Sequence, residues 1–573
     1  MNNKAVIDFK KLGKRYIFTN PIKILKTREH NQVQSILEQV ETYQKKGYYV
    51  VGYLSYEAAK AFEKHFQVHH APLLAEYLIY FAVHDSVKTA TIPLTYEEVT
   101  IPQNWTCSTS KSEYQKNIET IHQRIRQGDT YQVNYTIQLE TELSPEESFA
   151  IYNRLVVEQQ ADYNAYITHD DVAILSISPE LFFEKKDWRL TTRPMKGTTS
   201  RGTTLEQDVQ QAKWLAQDSK NRAENMMIVD LLRNDMNRIS EIGSETVKRL
   251  CQVEQYSTVW QMTSTIESTI RKDVNLVEIF KALFPCGSIT GAPKISTMAI
   301  IHQIEKAARG VYCGTVGLCL PNGQSIFNVA IRTIQMHKEK AIYGVGGGIT
   351  WDSNWEDEYI ETQQKSKILQ QRTPQFDLIT TGKISQGKLI FQKEHVRRLK
   401  DASRYFSYPF DEDTLQVKLD QVIQQLDDQD DYRLRLMLAK NGQVQIKTSP
   451  LQPLSDDFRR AQLVQQTKDL SHPFVSFKTN YRPHLTTGTR EKIYYNEHEQ
   501  LLETSIGNLL VEIKGKLYTP PVELGVLNGI YRQHLIQTKQ VHEKIITLND
   551  LQHADGIYAC NAVRGIYSLQ VTH

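Results

Sequence analysis

The sequence predicts an α+β protein of two domains, and three observations carry that expectation. Its 573 residues exceed one ordinary domain. Helical and strand-like hydrophobic periods are interleaved along the whole chain. The pattern then resets at the polar stretch Gln371-Arg372-Thr373-Pro374-Gln375, just after a helical segment ending near Gln370. The expected boundaries are a first domain over 1–370, a linker over 371–375 and a second domain over 376–573.

The first hundred residues read as mixed helix and strand. From Asn31 to Lys46, Val33, Ile36, Leu37 and Val40 fall on one helical face. Tyr48 to Leu54 follows as a buried strand. Ser112 to Gly128 is a helix with Ser112 as cap, Ile118, Ile121 and Ile125 as its buried stripe and Gly128 as its stop. Tyr131 to Ile137 alternates like a strand. Leu205 to Leu232 reads as one long helix, and the glycine-rich, β-branched block from Arg309 to Trp351 as strands joined by tight turns. A second α+β unit begins beyond the reset. Its acidic runs, Asp411-Glu412-Asp413 and Asp427 to Asp431, suit loops or solvated helix ends. There is no repeat and no low-complexity segment.

Composition narrows the function classes. Hydrophobic residues are 40% and charged residues 23%, as in soluble globular proteins. Net charge is +2, and no basic run interleaves with aromatics, so no nucleic-acid partner is expected. The first residues lack the apolar stretch of a signal peptide, and no window approaches the ~18 apolar residues that span a bilayer. Six scattered cysteines without a CxxC pair suit a reducing, cytoplasmic setting.

Lys196 in Thr191-Thr192-Arg193-Pro194-Met195-Lys196-Gly197-Thr198-Thr199 is the first candidate for chemistry. It follows two strand-like runs, Leu181 to Glu184 and Trp188 to Thr191. A lysine at a strand end can be desolvated into a nucleophile, although most lysines are solvated surface charges. Glu180, after Ser176-Ile177-Ser178-Pro179, is either a buried carboxyl able to hold a proton or an ordinary strand-end charge. Glu358 and Glu361 are three apart on one helical face. With Glu224 they suit a hard-cation site, although spacing alone favours a solvated face with Glu224 paired to Arg222 or Lys220. Gly344-Val345-Gly346-Gly347-Gly348 beside Arg332 is either a plain strand connection or a set of amides offered to a carboxylate. Gly287 to Lys294 reads as a loop opening a helix.

Taken together, these motifs resemble the chorismate-utilising enzymes, specifically the aminodeoxychorismate synthase component I family. The motifs are Lys220-Asn221-Arg222-Ala223-Glu224-Asn225, Gly287-Ser288-Ile289-Thr290-Gly291-Ala292-Pro293-Lys294, Ala330-Ile331-Arg332-Thr333 and Trp351-Asp352-Ser353 with Glu358 and Glu361. The resemblance implies a two-lobed α/β sandwich and chorismate as substrate. It implies Lys196 as nucleophile at C2, Glu180 as the acid that protonates the departing C4 hydroxyl, and Mg2+ on Glu224 and Glu361 with Glu358 close by. Thr290, Gly291, Tyr312, Arg332, Gly346, Gly347 and Gly348 are the implied substrate-binding residues. Related anthranilate synthases carry alanine at the lysine position. Where many relatives place a histidine, this chain reads Thr258-Val259-Trp260-Gln261-Met262. No cysteine sits in a Gly-x-Cys-x-Gly turn, so ammonia is expected from solution or from a separate glutamine amidotransferase subunit.

The region beyond the reset resembles 4-amino-4-deoxychorismate lyase, among the fold-type IV pyridoxal phosphate enzymes that include branched-chain aminotransferases. His395-Val396-Arg397-Arg398-Leu399, Phe477-Lys478-Thr479-Asn480, Leu502 to Leu509, Gly525 to Arg532 and Cys560-Asn561-Ala562-Val563-Arg564-Gly565 carry the likeness, in that order. It implies pyridoxal 5'-phosphate held by Lys478, with Glu503 on the pyridine nitrogen. Arg398 and the amides of Gly529, Ile530 and Tyr531 would take the phosphate, with Asn561 and Ala562 at the same pocket. Singly, Lys478, Glu503 and Arg398 also suit surface or helix-end charges. Two features depart from the pattern. Thr380 stands where relatives usually show glutamate, and the unit starts one or two strands late, so either the first domain covers that gap or the lyase site is impaired. The expected function is two-step synthesis of 4-aminobenzoate, a folate precursor. The alternatives are a second domain acting as an aminotransferase or as a silent docking module.

Overall fold

A computed structural model of the chain describes residues 3–370 and 372–571; Gln371 of the expected linker lies outside the described residues. The chain forms two compact units. The first comprises the stretches up to Ser200 and from Ala212 to Thr373, and the second Arg201–Gln211 together with the chain from Pro374 onward. An eleven-residue segment from inside the expected first domain thus belongs to the second unit.

The first unit is built on two antiparallel sheets. One runs in the order Gly291–Ala292, Gln132–Glu142, Lys340–Ile349, Thr333–His337, Val172–Ser178, Tyr163–His169, Lys4–Phe9, Arg15–Thr19 and Lys88–Ala90. The other runs Met195–Ser200, Val259–Thr269, Arg189–Arg193, Leu181–Lys186, Ser325–Asn328, Thr315–Cys319, Tyr49–Leu54, Ile79–His84 and Lys23–Thr27.

Strand periodicity explains why the sheets stack. Along Ile79–His84, Tyr80 and Ala82 enter a core shared with Ile7, Phe9, Ile167 and Ile174 of the facing sheet. Ile79, Phe81 and Val83 point the other way, onto Val33, Leu37 and Val40 of the helix His30–Lys45. On the opposite sheet Tyr166, Ala173 and Leu175 meet Ile118 and Ile121 of Lys111–Arg126 and Ile151 and Leu155 of Ser148–Gln159. The layers are therefore helix, sheet, sheet, helix. A one-residue slip in any central strand would exchange its two apolar sets, which fixes the register.

Three local expectations are corrected. The cap of Lys111–Arg126 is Ser110, whose hydroxyl accepts from the Glu113 amide at 3.3 Å, and Ser112 lies inside the first turn. The long helix over 205–232 is two helices, Leu205–Gln217 and Ser219–Asn237. Asp218 between them is extended and accepts from the Asn221 amide at 2.9 Å, so it starts a new helix. Gly344 to Gly348 is not a turn but the interior of Lys340–Ile349, paired continuously with Gln132–Glu142. Its glycines make room: a Cβ on Gly344 would collide with the Tyr312 ring.

The second unit has a four-stranded sheet, Lys388–Leu389, Leu378–Ser385, Tyr432–Leu438 and Val444–Pro450. Helices Gln392–Phe406 and Glu412–Ile423 cover it through Leu399, Ala402, Leu415 and Leu419. Asp411 caps the second of these by accepting from the Asp413 and Thr414 amides. A larger mixed sheet follows, centred on Asn508–Ile513, Leu501–Thr504, Lys492–Tyr495 and Gly556–Asn561. Its core holds Ile493, Leu501, Leu509, Val511 and Ala559.

Candidate active sites

In the first unit Lys196 lies at an irregularity. Pairing between Met195–Ser200 and Val259–Thr269 shifts register between Met195 and Thr198. Gly197 at that point has φ +87, which only glycine adopts easily, so the bulge re-aims the neighbouring side chain. Gln261 fixes the bulge by donating to the Gly197 carbonyl at 2.9 Å and accepting from the Thr198 hydroxyl at 3.0 Å. The amine ends 3.1 Å from where a Cβ on Gly348 would stand, so glycine there keeps its space open.

Glu180 follows Pro179 where the chain passes from Val172–Ser178 in one sheet to Leu181–Lys186 in the other, and is 2% exposed. Burial pushes its carboxyl up to about 7, although Ser288 and Lys196 act in the opposite direction. Its Oε1 has no hydrogen-bond partner. Burial lowers the Lys196 amine, opposed by the charges of Glu224 and Glu180. Burial raises the Glu224 carboxyl, with Lys196 and Lys220 opposing and Glu361 adding to the rise.

Glu358 and Glu361 project from Trp355–Ser366. Glu358 accepts from the Ser353 hydroxyl at 2.7 Å and is raised by burial. Its Oε2 lies 3.0 Å from the place of a Cβ on Gly347. Glu361 is lowered by Lys365, its ion-pair partner at 2.7 Å. Lys365 also donates to the Gly346 carbonyl at 2.8 Å. Glu180, Lys196, Glu224, Glu358 and Glu361 thus share one electrostatic neighbourhood with Gly346, Gly347 and Gly348. Among the described residues no three acidic, His or Cys side chains are close enough to hold a metal unaided.

The remaining candidates are more dispersed. The Thr290 hydroxyl donates to the Cys286 carbonyl at 3.1 Å, and its own carbonyl accepts from the Asn134 amide at 2.7 Å. Gly291 pairs with Val133. Tyr312 is packed in the helix-side core over Gly344. Arg332 has φ +51, and burial lowers its guanidinium, with Tyr343 and Tyr256 nearby. Sequence reasoning missed Lys365, Gln261 and Ser288. Lys365 carried a signal in its four-residue spacing from Glu361, and Ser288 and Gln261 lay inside stretches already singled out without a role of their own.

In the second unit Lys478 follows the short helix Pro473–Ser476, and its carbonyl accepts from the Ile379 amide at 2.9 Å. Burial first, then Arg398 and Arg482, bring its amine down to about 7, opposed by Glu503. Glu503, on Leu501–Thr504, is 3% exposed and raised by burial. The Leu527 amide donates to it at 3.4 Å. Arg482 Nη2 stands 3.5 Å from its Oε2, an ion pair without a hydrogen bond. Arg398, on Gln392–Phe406, donates to the Asn528 carbonyl at 2.6 Å and is lowered to about 10 by burial and Arg482.

Gly529 precedes the helix Ile530–Gln537, so the first amides, including those of Ile530 and Tyr531, have no acceptor within the helix. A Cβ on Gly529 would collide with Asn508 Oδ1. Asn561 accepts from the Val563 and Arg564 amides, closing the turn that contains Ala562. That turn lies beside Tyr531, whose hydroxyl would be 3.5 Å from a Cβ on Gly565. Thr380 is buried with its hydroxyl 2.6 Å from His395 Nδ1, and burial drives His395 down to about 3. Arg482 and the nearby Arg435 were missed by sequence reasoning, and each leaves Nε buried without a partner.

Residues 3–371, well over half of the chain, match the chorismate binding enzyme family, and the chain belongs to that family. Residues 377–570 match the amino-transferase class IV family. The chain is 37% identical over 261 residues to aminodeoxychorismate synthase component 1 of Salmonella typhimurium, covering 46% of this chain and 57% of that protein. It is 39% identical over 257 residues to the component 1 protein of Bacillus subtilis, covering 45% and 54%. It therefore spans a little over half the length of these two relatives. The crystal structure of anthranilate synthase component I from Streptococcus pneumoniae shares the fold, with TM-score 0.55, 24% identity and coverage of 64% of this chain and 92% of that one. No described helix is long and apolar enough to cross a membrane.

Proposed function

We propose that the chain makes 4-aminobenzoate in two steps. Chorismate is aminated to 4-amino-4-deoxychorismate in the first unit, and pyruvate is eliminated from that intermediate in the second. The observation that supports the first step best is the meeting of Lys196 with Glu180. A depressed amine and a carboxyl raised to about 7 are a nucleophile and an acid poised together. Lys196 attacks C2 of the ring while Glu180 protonates the C4 hydroxyl, which leaves as water. Ammonia then adds at C4 and the Lys196 amine departs from C2, regenerating the free residue. Arg332 and the amides of Gly346 to Gly348 suit the substrate's carboxylates, with Thr290 and Gly291 beside them. That these relatives are named component 1 supports a separate partner supplying ammonia, which we take to be a glutamine amidotransferase.

Glu224, Glu358 and Glu361 fit Mg2+ as hard oxygen donors whose mutual repulsion a cation relieves. The ion would supply positive charge for a substrate carboxylate. In the second unit the buried carboxylate Glu503 acts on Lys478 against the charges of Arg398, Arg482 and Arg435. This cationic surplus, with unpartnered guanidinium nitrogens and a helix start at Gly529, fits pyridoxal 5'-phosphate. The cofactor would supply an electron sink for breaking the C4–H bond. Lys478 would take the proton from C4 and pass it to the departing enolpyruvyl group, which leaves as pyruvate as the ring becomes aromatic; Glu503 would hold the ring nitrogen protonated, and Arg398 and the Gly529–Tyr531 amides would hold the phosphate. That buried charged group supports a cofactor site over a silent docking module.

Product analysis by chromatography tests the proposal. With chorismate, ammonium, Mg2+ and the cofactor, 4-aminobenzoate and pyruvate should form in equal amounts. An amino acid–dependent transfer of the amine would favour the aminotransferase reading of the second unit. Absence of aminodeoxychorismate and 4-aminobenzoate alike would refute the first step.

A further inference from the structure

The second unit is discontinuous in sequence, and the inserted piece makes specific contacts. Arg201 forks onto Asp208, with Nε to Oδ1 at 2.6 Å and Nη2 to Oδ2 at 2.7 Å. Both side chains are buried, 6% and 3% exposed. The same guanidinium lies over the Tyr405 ring, 4.4 Å from its centre, and donates to the Tyr405 carbonyl at 2.9 Å. The Tyr405 hydroxyl donates back to the Gly202 carbonyl at 2.7 Å. Tyr405 is thereby held at its ring, its hydroxyl and its backbone by two adjacent residues, Arg201 and Gly202, with Asp208 fixing the guanidinium from behind.

Tyr405 connects this segment to the second site. It lies seven residues beyond Arg398 on Gln392–Phe406, hence on the same helical face. Its ring packs on Phe477 at a centroid distance of 4.4 Å, and Phe477 immediately precedes Lys478. The charges acting on Lys478 are those of Arg398, Arg482, Glu503 and Arg435. Arg201 reaches Lys478 through packing, its guanidinium over the Tyr405 ring and that ring on Phe477.

We propose that Arg201 is a positioning residue for the second site: through Tyr405 and Phe477 it keeps the Lys478 amine out of water. The consequence is that a segment encoded within the first family domain, five residues on from Lys196, completes the support of the cofactor-binding lysine. This rests on the reading of Lys478 given above, so the test measures the amine itself rather than turnover.

The full-length chain without cofactor is labelled competitively with acetic anhydride across a pH range, and acetylation of Lys478 is followed by peptide mass spectrometry. The wild-type midpoint should fall near 7. Arg201→Leu should raise it by about half a unit or more, because a loosened Phe477 lets water reach the amine. Arg201→Lys should recover only part of the effect, keeping the charge but losing the fork. Tyr405→Phe should give a smaller shift of the same sign, with weaker pyridoxal phosphate binding by absorbance titration. A low wild-type midpoint unchanged in a folded Arg201→Leu chain overturns the positioning role alone. If Arg201→Leu does not fold, an unchanged midpoint in Tyr405→Phe overturns it instead. A wild-type midpoint in the ordinary lysine range overturns both this role and the reading of Lys478.

Discussion

Lys196 and Lys478 are both buried amines lowered from the usual lysine range, yet their surroundings are opposite in sign. Around Lys196 stand Glu224, Glu180 and Glu361, whose charges favour the protonated amine, so burial, helped by Lys365, pulls it down against them. Around Lys478 stand Arg398, Arg482 and Arg435, which add to burial, against only Glu503. The contrast follows from what each site would hold. A carboxylate-rich pocket can take a metal cation together with an anionic substrate. A cation-rich pocket can take a phosphate and an anionic substrate without metal. One residue type would thus serve two chemistries because the neighbouring charges differ.

The sharpest way to break this comparison is to remove each lysine in turn. Lys478→Ala should lower 4-aminobenzoate formation by at least the ~10²–10⁴-fold typical of a positioned acid–base group, with 4-amino-4-deoxychorismate accumulating from chorismate and ammonia. Undiminished 4-aminobenzoate would place the second site elsewhere. Lys196→Ala should remove most chorismate amination and could open slow direct attack at C2, read as anthranilate in the same chromatogram. Wild-type aminodeoxychorismate yield from this variant would refute the covalent step.

Chelation separates the sites by their charge. EDTA should stop chorismate consumption and leave breakdown of supplied aminodeoxychorismate running. Parallel loss of both activities would contradict the assignment of Glu224, Glu358 and Glu361 to one site.

The pH predictions are smaller. Glu180 must be protonated to act as an acid, so amination should fall as pH rises through about 7, and Glu180→Gln should abolish that limb. For Lys478 the folded amine is lowered to about 7 while the unfolded one stays near the ordinary lysine value. The unfolded chain therefore binds more protons between these values, and the native state is penalised increasingly as pH falls from that value towards 7. Lys478→Met in the cofactor-free chain should raise the melting temperature of the second unit more at pH 7 than at pH 10. Equal gains at the two pH values would show that the amine is not forced neutral by folding.

Much of both units was legible in the sequence. The helix stripe Val33, Ile36, Leu37 and Val40 and the strand Tyr48 to Leu54 follow from periodicity, because each element buries one face. The break at Asp218 was not visible in hydrophobic spacing, since a side-chain cap competes with the helix without interrupting its apolar pattern. The run Gly344 to Gly348 was misread as a turn because glycine's commonest local meaning is a turn. Its actual reason is steric and long-range: Tyr312 and Lys196 need the space that side chains would occupy.

By itself the sequence determined which residues could do chemistry, because Lys196, Glu180, Glu224, Lys478 and Glu503 stand in motifs whose types and order are local properties of the chain. It also determined the alternation that buries each strand, since that period depends only on neighbours along the chain. The tertiary structure alone decided how those groups titrate. Glu180 rises to about 7 because two sheets close over the crossover where it sits, and Lys478 falls to about 7 because it is buried and because Arg398 reaches it from a distant helix to join Arg482. It alone placed Lys365 on Gly346, Gln261 on the bulge beside Lys196, and Arg201 over Tyr405. Burial and charge act through space, falling off with distance and dielectric rather than with separation in sequence.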